Sequence, residues 1–380
     1  MKYADEFRDK AIALGLAKVI RSEANPQRSY RFMEFCGGHT HAISRYGLED
    51  ILPKNVRMIH GPGCPVCVLP AGRIDMAIRL ADRPEVILCV YGDLMRVPGS
   101  QGASLLKAKA RGADVRMVYS TVDAIRIAEE NPEQEVVFFA IGFETTTPPT
   151  AILIRRAEKK QLENFSVVCN HVRTPPAMQN ILESPDTRSI RRVEIDGFVG
   201  PAHVSIIIGT EPYEVFAEEF GKPVVISGFE PLDMMQAILM LVRQVNENRN
   251  EVENQYSRAV TRDGNPRAKE EVSNIFELRD QFEWRGLGLV PYSGLKLKQT
   301  YARFDAEMRF ALNELRVPDN PACECGAILR GVKKPVDCKL FGTVCTPETP
   351  VGSCMVSSEG ACAAHWTYGR FRDRQQKRAS

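Results

Sequence analysis

The chain has 380 residues, with 50 Lys or Arg against 48 Asp or Glu and a formal net charge of +2. At about 150 residues per domain, that length implies two to three domains. A hydrophobic fraction of 44% and a charged fraction of 26% exclude a disordered or collagen-like chain. The charge balance also removes the electrostatic case for a general nucleic-acid binder.

The last residues carry Arg370, Arg372, Arg374, Lys377 and Arg378 against Asp373, which reads as a solvated end. The longest uncharged stretch, Met58 to Gly72, is broken by Gly and Pro. It falls short of the roughly 20 apolar residues a membrane span needs. The N-terminal MKYADEFRDK has no apolar core of a signal peptide, so no membrane association and a cytoplasmic location are expected. Of the eleven cysteines, six fall in the last 58 positions. In a long, unsecreted chain such clustering points to metal or redox chemistry.

In chain order, the expected strands are 30–35, 56–60, 85–91, 115–119, 135–142, 165–170, 196–200 and 222–227. Each is a short β-branched or aromatic run leading into a Gly/Pro-rich turn. Amphipathic stretches at 73–81, 121–130 and 150–160 lie between them. Apolar strands alternating with helices imply parallel sheets covered on both faces. The reading is α/β: two doubly wound parallel-sheet domains plus a small C-terminal iron–sulfur domain. The expected boundaries are 1–160, 161–300 with a helical extension, and 301–380. Residues 231–282 read as helical, 284–300 as a linker or small strands, and 301–316 as a further helix. After Pro318 the composition shifts to Cys, Gly and Pro, too poor in apolar residues to fold by burial alone.

In doubly wound folds ligands bind in the loops after the strands. Here those loops are Cys36-Gly-Gly-His39-Thr-His41, Gly61-Pro-Gly-Cys64-Pro-Val-Cys67, Gly142-Phe-Glu144-Thr145-Thr146 and Pro201-Ala-His203-Val-Ser205. Five of the six histidines (39, 41, 60, 171 and 203) sit in or beside them, which suggests convergence on one cleft. As a thiolate, Cys36 would serve as nucleophile or soft metal ligand, with His39 or His41 taking its proton. The Cys64-x-x-Cys67 pair precedes an expected helix whose N-terminus would favour a thiolate for disulfide exchange. Half of a zinc site, completed by His60, Cys36 and another residue, is the competing reading.

Glu144 is placed to orient a histidine or hold a ligand, Thr145 and Thr146 to cap a helix, and His203 with Ser205 to donate hydrogen bonds. Asp93 and Arg96 read as a pair, and Cys89 and Cys169 as core residues. Neither a phosphate-binding loop nor a dinucleotide fingerprint is present.

The C-terminal set runs Cys323-x-Cys325, then Cys338, Cys345, Cys354 and Cys362. Six thiols exceed the four a [4Fe–4S] cluster needs and leave two for one redox disulfide. Two zinc ions sharing the set is the alternative.

Together, CGGHTH (36–41), GPGCPVC (61–67), GFETT (142–146), PAHVS (201–205) and the six-cysteine region resemble the HypD family of hydrogenase maturation factors across nearly the whole chain. Only the tail after Gly369 finds no match. The resemblance implies a scaffold, formed with the small partner HypC, on which the Fe(CN)2CO group of [NiFe]-hydrogenase is assembled. It implies cyanide delivered from a HypE-like donor as a cysteine thiocyanate. It implies two α/β domains and a third with a [4Fe–4S] cluster, at a site similar to that of ferredoxin–thioredoxin reductase.

On that basis Cys36 is expected to bind iron, with His39, His41, His203 and Glu144 around it and Cys64/Cys67 as a thiol relay. By similarity to the reductase, Cys323, Cys338, Cys345 and Cys362 are expected to hold the cluster, with Cys325 and Cys354 as the redox pair. Such a protein is a redox-active assembly scaffold rather than a freely turning-over enzyme. The alternative is an iron–sulfur thiol–disulfide reductase acting on a protein disulfide, for which Cys36 and His39 would be dispensable. A zinc-stabilised binding protein is a third.

Overall fold

The computed structural model describes residues 5–183, 194–313 and 316–369. The basic tail from Arg370 onward lies outside them. The strands are β1 (Tyr30–Glu34), β2 (Val56–His60), β3 (Val86–Tyr91), β4 (Val115–Val118), β5 (Glu135–Gly142), β6 (Phe165–His171), β7 (Gly197–Pro201), β8 (Val224–Ser227), β9 (Val252–Asn254), β10 (Phe276–Leu278), β11 (Gln281–Trp284), β12 (Gly288–Pro291) and β13 (Leu295–Leu297).

Two all-parallel sheets form, one in the order β2-β1-β7-β8-β9 and one in the order β4-β3-β5-β6. The physical cause is plain in β5, whose residues from Val136 to Gly142 are all buried. Only a sheet covered on both faces can bury such a run. The helices Thr121–Glu130 and Thr147–Lys159 cover one face of the second sheet, and Ala71–Ala81 covers the other. The mostly apolar helix Pro231–Asn246 packs with Lys10–Glu23 on the first sheet.

The sheets do not divide at residue 160. The second sheet is inserted into the first: the chain leaves after β2, builds β3 to β6, and returns at β7 beside β1. A boundary at 160 would part β6 from the sheet it completes. The cause is that β1 and β7 are hydrogen-bonded neighbours, a pairing distant in sequence that strand order along the chain does not reveal.

Residues 231–282 are helical only in part. After Pro231–Asn246 come β9, the helix Pro266–Ile275, β10 and part of a hairpin. β10 pairs antiparallel with β13, and β11 with β12, so 284–300 contributes small strands. The helix expected at 301–316 is reduced to two short turns, Gln299–Phe304 and Ala306–Arg309, with Asp305 between them. Glu307 there accepts hydrogen bonds from Arg73 and Arg279, which ties the turn to the second sheet.

Among the described residues from Arg316 onward the helices are all short, Cys325–Leu329 and Ala361–Ala364 among them. This lobe lies against both sheets. Gly331 abuts Ile59, and Arg96 donates to the carbonyls of Pro347 and Val356. No helix among the described residues is long and apolar enough to cross a membrane.

Candidate functional site: a cleft between two sheets and a cysteine lobe behind it

The carboxyl ends of the two sheets enclose a cleft of about 390 Å3, lined among others by Cys36, Tyr91, Asp93, Thr145, His203 and Glu359. Loops after β1, β2, β3, β5 and β7 all reach it, and Glu359 comes from the C-terminal lobe.

Cys36 is a free thiol, partly open to the cleft. It precedes the helix Gly37–Tyr46 in extended backbone. Its backbone N–H donates to Glu34 Oε2 at 2.9 Å. Glu34 is fully buried, and its other oxygen accepts from the Thr40 hydroxyl and pairs with His60 Nδ1. The β1–β2 register sets Glu34 directly beside His60. A buried carboxylate is tolerated only when so fully partnered. Gly63 locks the second loop against the first. A Cβ there would lie 2.3 Å from the Cys36 nitrogen, and its carbonyl accepts from Gly37 N–H at 3.0 Å.

The surrounding protein and the carboxylates of Glu359 and Glu34 hold the Cys36 pKa well above the ordinary thiol range. Burial, then Asp93 and Glu34, raise Glu359. Burial lowers the His203 pKa, and its ring packs on Phe229 with centroids 4.0 Å apart.

The other expected residues are placed differently. His39 is fully buried, and its Nε2 lies 3.0 and 3.1 Å from the carbonyls of Ser227 and Gly228. Carbonyls only accept, so Nε2 donates. Its ring stacks on Phe229 and does not line the cleft. His41 turns to the lobe, with Nδ1 3.4 Å from Ser358 O and its ring edge-on to Tyr368. Glu144 is buried and accepts both the N–H and the hydroxyl of Thr174, tying the loop after β5 to the one after β6. Ser205 donates back to Pro201 O within its own helix, Ala202–Ile208. Thr146 makes no side-chain cap; its hydroxyl donates to Phe143 O.

His171 does not join the cleft. It is buried against Phe276, its Nε2 meets the Thr150 hydroxyl at 2.9 Å, and burial takes its pKa down to about 4. Arg96 serves the lobe rather than Asp93. His60 is bound to Glu34, so it is not turned toward the thiols. Cys89 and Cys169 are buried core residues.

Behind the cleft wall formed by Pro65 and Val66, Cys64 and Cys67 form a disulfide. The helix they start, Pro65–Val68, has four residues, too short for a substantial dipole at the sulfurs. A second disulfide joins Cys325 to Cys354, with Cα atoms 6.3 Å apart. Ser353 stands between the two. It is fully buried, its hydroxyl donates to Cys67 O at 2.7 Å, and the same oxygen lies 3.8 Å from Cys325 Sγ. Its carbonyl is 3.9 Å from Cys67 Sγ.

The remaining lobe thiols, Cys323, Cys338, Cys345 and Cys362, are free and line one cavity with Ile328, Leu340, Phe341 and Met355. Burial takes the Cys323 pKa up to about 11, and burial with the facing thiols of Cys345, Cys323 and Cys338 raises Cys362. Among the described residues no three Cys, His, Asp or Glu side chains converge on one ion-sized point. The four thiols instead surround one cavity.

Reasoning from sequence missed Glu34, Glu359 and Ser353, and took Asp93 only as a partner for Arg96. A charged residue closing an apolar strand marks Glu34 in hindsight. Nothing local marks Glu359 or Ser353.

The HypD family model, described as "Hydrogenase formation hypA family", matches residues 11–369. The chain is 88% identical over 380 residues to "Hydrogenase maturation factor HypD2" of Bradyrhizobium diazoefficiens, covering 100% of both chains. It is 68% identical over 373 residues to "Hydrogenase maturation factor HypD" of Cupriavidus necator, covering 98% of each. To the Escherichia coli K12 protein of that name it is 48% identical over 373 residues, covering 97% of this chain and 98% of the other.

Proposed function

The chain belongs to the HypD family of hydrogenase maturation factors, and from that premise we propose that the cleft is where the Fe(CN)2CO group is assembled, with a HypC-like partner completing the scaffold. The observation that carries the reading is the line of sulfur from the cleft inward. It runs from Cys36 at the wall, through the Cys64–Cys67 pair behind it and Ser353, to the Cys325–Cys354 pair and the four-thiol cavity.

Cys36 binds the incoming iron, the cargo, as a thiolate, since a soft, cyanide-bearing iron suits sulfur. The Glu34 carboxylate holds the Cys36 backbone, and His203 is placed to donate a hydrogen bond to an iron-bound cyanide. Cyanide arrives from a HypE-like donor as a thiocyanate, R–S–CN. Reduced Cys64 and Cys67 supply the two electrons that release it. The S–CN bond breaks, the Cys64–Cys67 bond forms, and the two thiol protons end on R–SH and HCN. Reduced Cys325 and Cys354 then restore the Cys64/Cys67 dithiol by exchange, two thiols for one disulfide.

Cys323, Cys338, Cys345 and Cys362 fit a [4Fe–4S] cluster, which when bound supplies electrons one at a time. The chain is thus a redox-active scaffold.

The test is infrared spectroscopy on protein purified anaerobically with a co-expressed HypC-like partner. Bands of metal-bound cyanide and CO in wild type, absent in Cys36→Ala, are expected. No bands while visible absorption shows an intact cluster would shift the assignment to a thiol–disulfide reductase centred on Cys64 and Cys67.

A further inference from the structure

Whatever reduces the lobe must reach it from outside, and one segment of the lobe combines positive charge with exposed apolar side chains. Between Arg330 and Cys345 stand four cations, Arg330, Lys333, Lys334 and Lys339, against one acid, Asp337, in a chain whose whole net charge is +2. The same stretch exposes Val332 (37%), Val336 (46%) and Val344 (59%).

These residues are tied to the cavity thiols by the chain itself. Val336 stands two positions before Cys338, Lys339 directly follows it, and Val344 directly precedes Cys345. Tight turns fold the segment, with Phe341 N–H donating to Cys338 O and Cys345 N–H to Leu340 O. Cys338 and Cys345 are only 8% and 6% exposed, so they lie just beneath this face. Lys333 is held by Glu324, Lys334 is 65% exposed and 4.0 Å from Glu49, and exposed Lys339 has no carboxylate partner among the described residues. A segment that exposes valines among cations suits the docking of an anionic protein.

We propose that the Val332–Val344 face is the docking site of an acidic one-electron carrier protein. The proposal rests on the cluster reading above. Two successive reduced carriers each lose one electron. Those two electrons and two protons from water convert the Cys325–Cys354 disulfide to a dithiol. The lysines set encounter rate and orientation, and the valines set the closeness of approach.

The test uses the full chain, purified anaerobically, with a ferredoxin chosen for its acidic surface as the probe. Binding is measured at low and at physiological ionic strength, beside cluster content by visible absorption and reducibility by dithionite. Wild type should lose about tenfold in affinity as salt rises, and Lys334→Glu/Lys339→Glu should lose about tenfold at low salt. Val344→Asp should weaken binding with the lysines intact. Both variants should keep the cluster and its reduction by dithionite.

Equal binding of wild type and the charge-reversed variant, or no ferredoxin binding by a cluster-loaded wild type, overturns the docking site alone. Wild type without a cluster overturns the reading beneath it. Charge-dependent binding would in that case leave an acidic-protein surface and remove the electron-carrier assignment.

Discussion

The cleft and the cysteine lobe are built differently. The cleft sits on two sheets whose strands bury Phe32, Val90, Phe138 and Phe198 completely. Its loops are positioned by a close-packed apolar core. The lobe has little regular structure; Ile328, Leu329, Met355 and Val356 join the apolar core that includes Met33 and Ile59, and a disulfide adds to that packing. Its disulfide spans 29 positions, whereas the Cys64–Cys67 bond spans three. By loop-closure entropy the long bond stabilises by about 3–4 kcal/mol and the short one by under about 2. Of the two disulfides, the pair nearest the cleft therefore contributes less to stability.

The comparison breaks most visibly in the core. Phe138→Ala, at a fully buried position of β5, should cost about 3–5 kcal/mol in urea unfolding, equally with or without reductant. Cys354→Ser should loosen only the lobe, by about 3 kcal/mol. Hydrogen exchange should show faster amides in 316–369 and unchanged ones in β3, β5 and β6. If wild-type sheet amides also quicken on reduction, the two regions are not independent.

The same contrast explains what could be read from the sequence. Buried parallel strands announce themselves as β-branched and aromatic runs, so eight of them, with β2 and β5 to the residue, were legible. The insertion of one sheet into the other was not, because the pairing of β1 with β7 is a long-range choice that no local pattern records. In the site, Cys36 and His203 stood out because rare residue types followed strands. His39, His41 and Glu144 stood out for the same reason, yet spend their polar atoms on Ser227, Gly228, Ser358 and Thr174. A motif shows that a residue matters, but the side-chain direction that separates ligand from brace depends on packing. The six-cysteine spacing left the pairing open, and only the resemblance singled out Cys325 and Cys354.

Glu34 sharpens the comparison by testing a polar joint inside the rigid region. Glu34→Ala should cost about 2–3 kcal/mol, because it strips partners from the Cys36 N–H, the Thr40 hydroxyl and His60. It should also change the pH dependence. Burial opposes a charge on His60, but the hydrogen bond and charge of Glu34 outweigh it, so the folded pKa is raised. A raised folded pKa gives stability that is fully present below the unfolded value of about 6.5 and is lost as pH rises through the folded one. Wild type should therefore lose stability as pH rises above about 6.5, and Glu34→Gln should flatten that slope. An unchanged slope in Glu34→Gln would mean that His60 is not what titrates.

Ser353→Ala should have the smallest thermodynamic effect, about 1 kcal/mol, since it removes one neutral hydrogen bond to Cys67 O. Its kinetic effect should be larger. Ser353 touches both disulfides, through its contacts with Cys67 and Cys325. Thiol–disulfide exchange depends on the angle and distance at which one sulfur meets another. Trapping free thiols at intervals after partial reduction should show Cys325/Cys354 and Cys64/Cys67 reaching equilibrium together in wild type and with a lag in Ser353→Ala. Threonine keeps the hydroxyl and should recover part of the rate if the added methyl is accommodated. A lag that appears without loss of stability would locate the joint between the two regions at this one side chain. Equal rates in both proteins would mean that the two sulfur pairs meet through a motion that Ser353 does not govern.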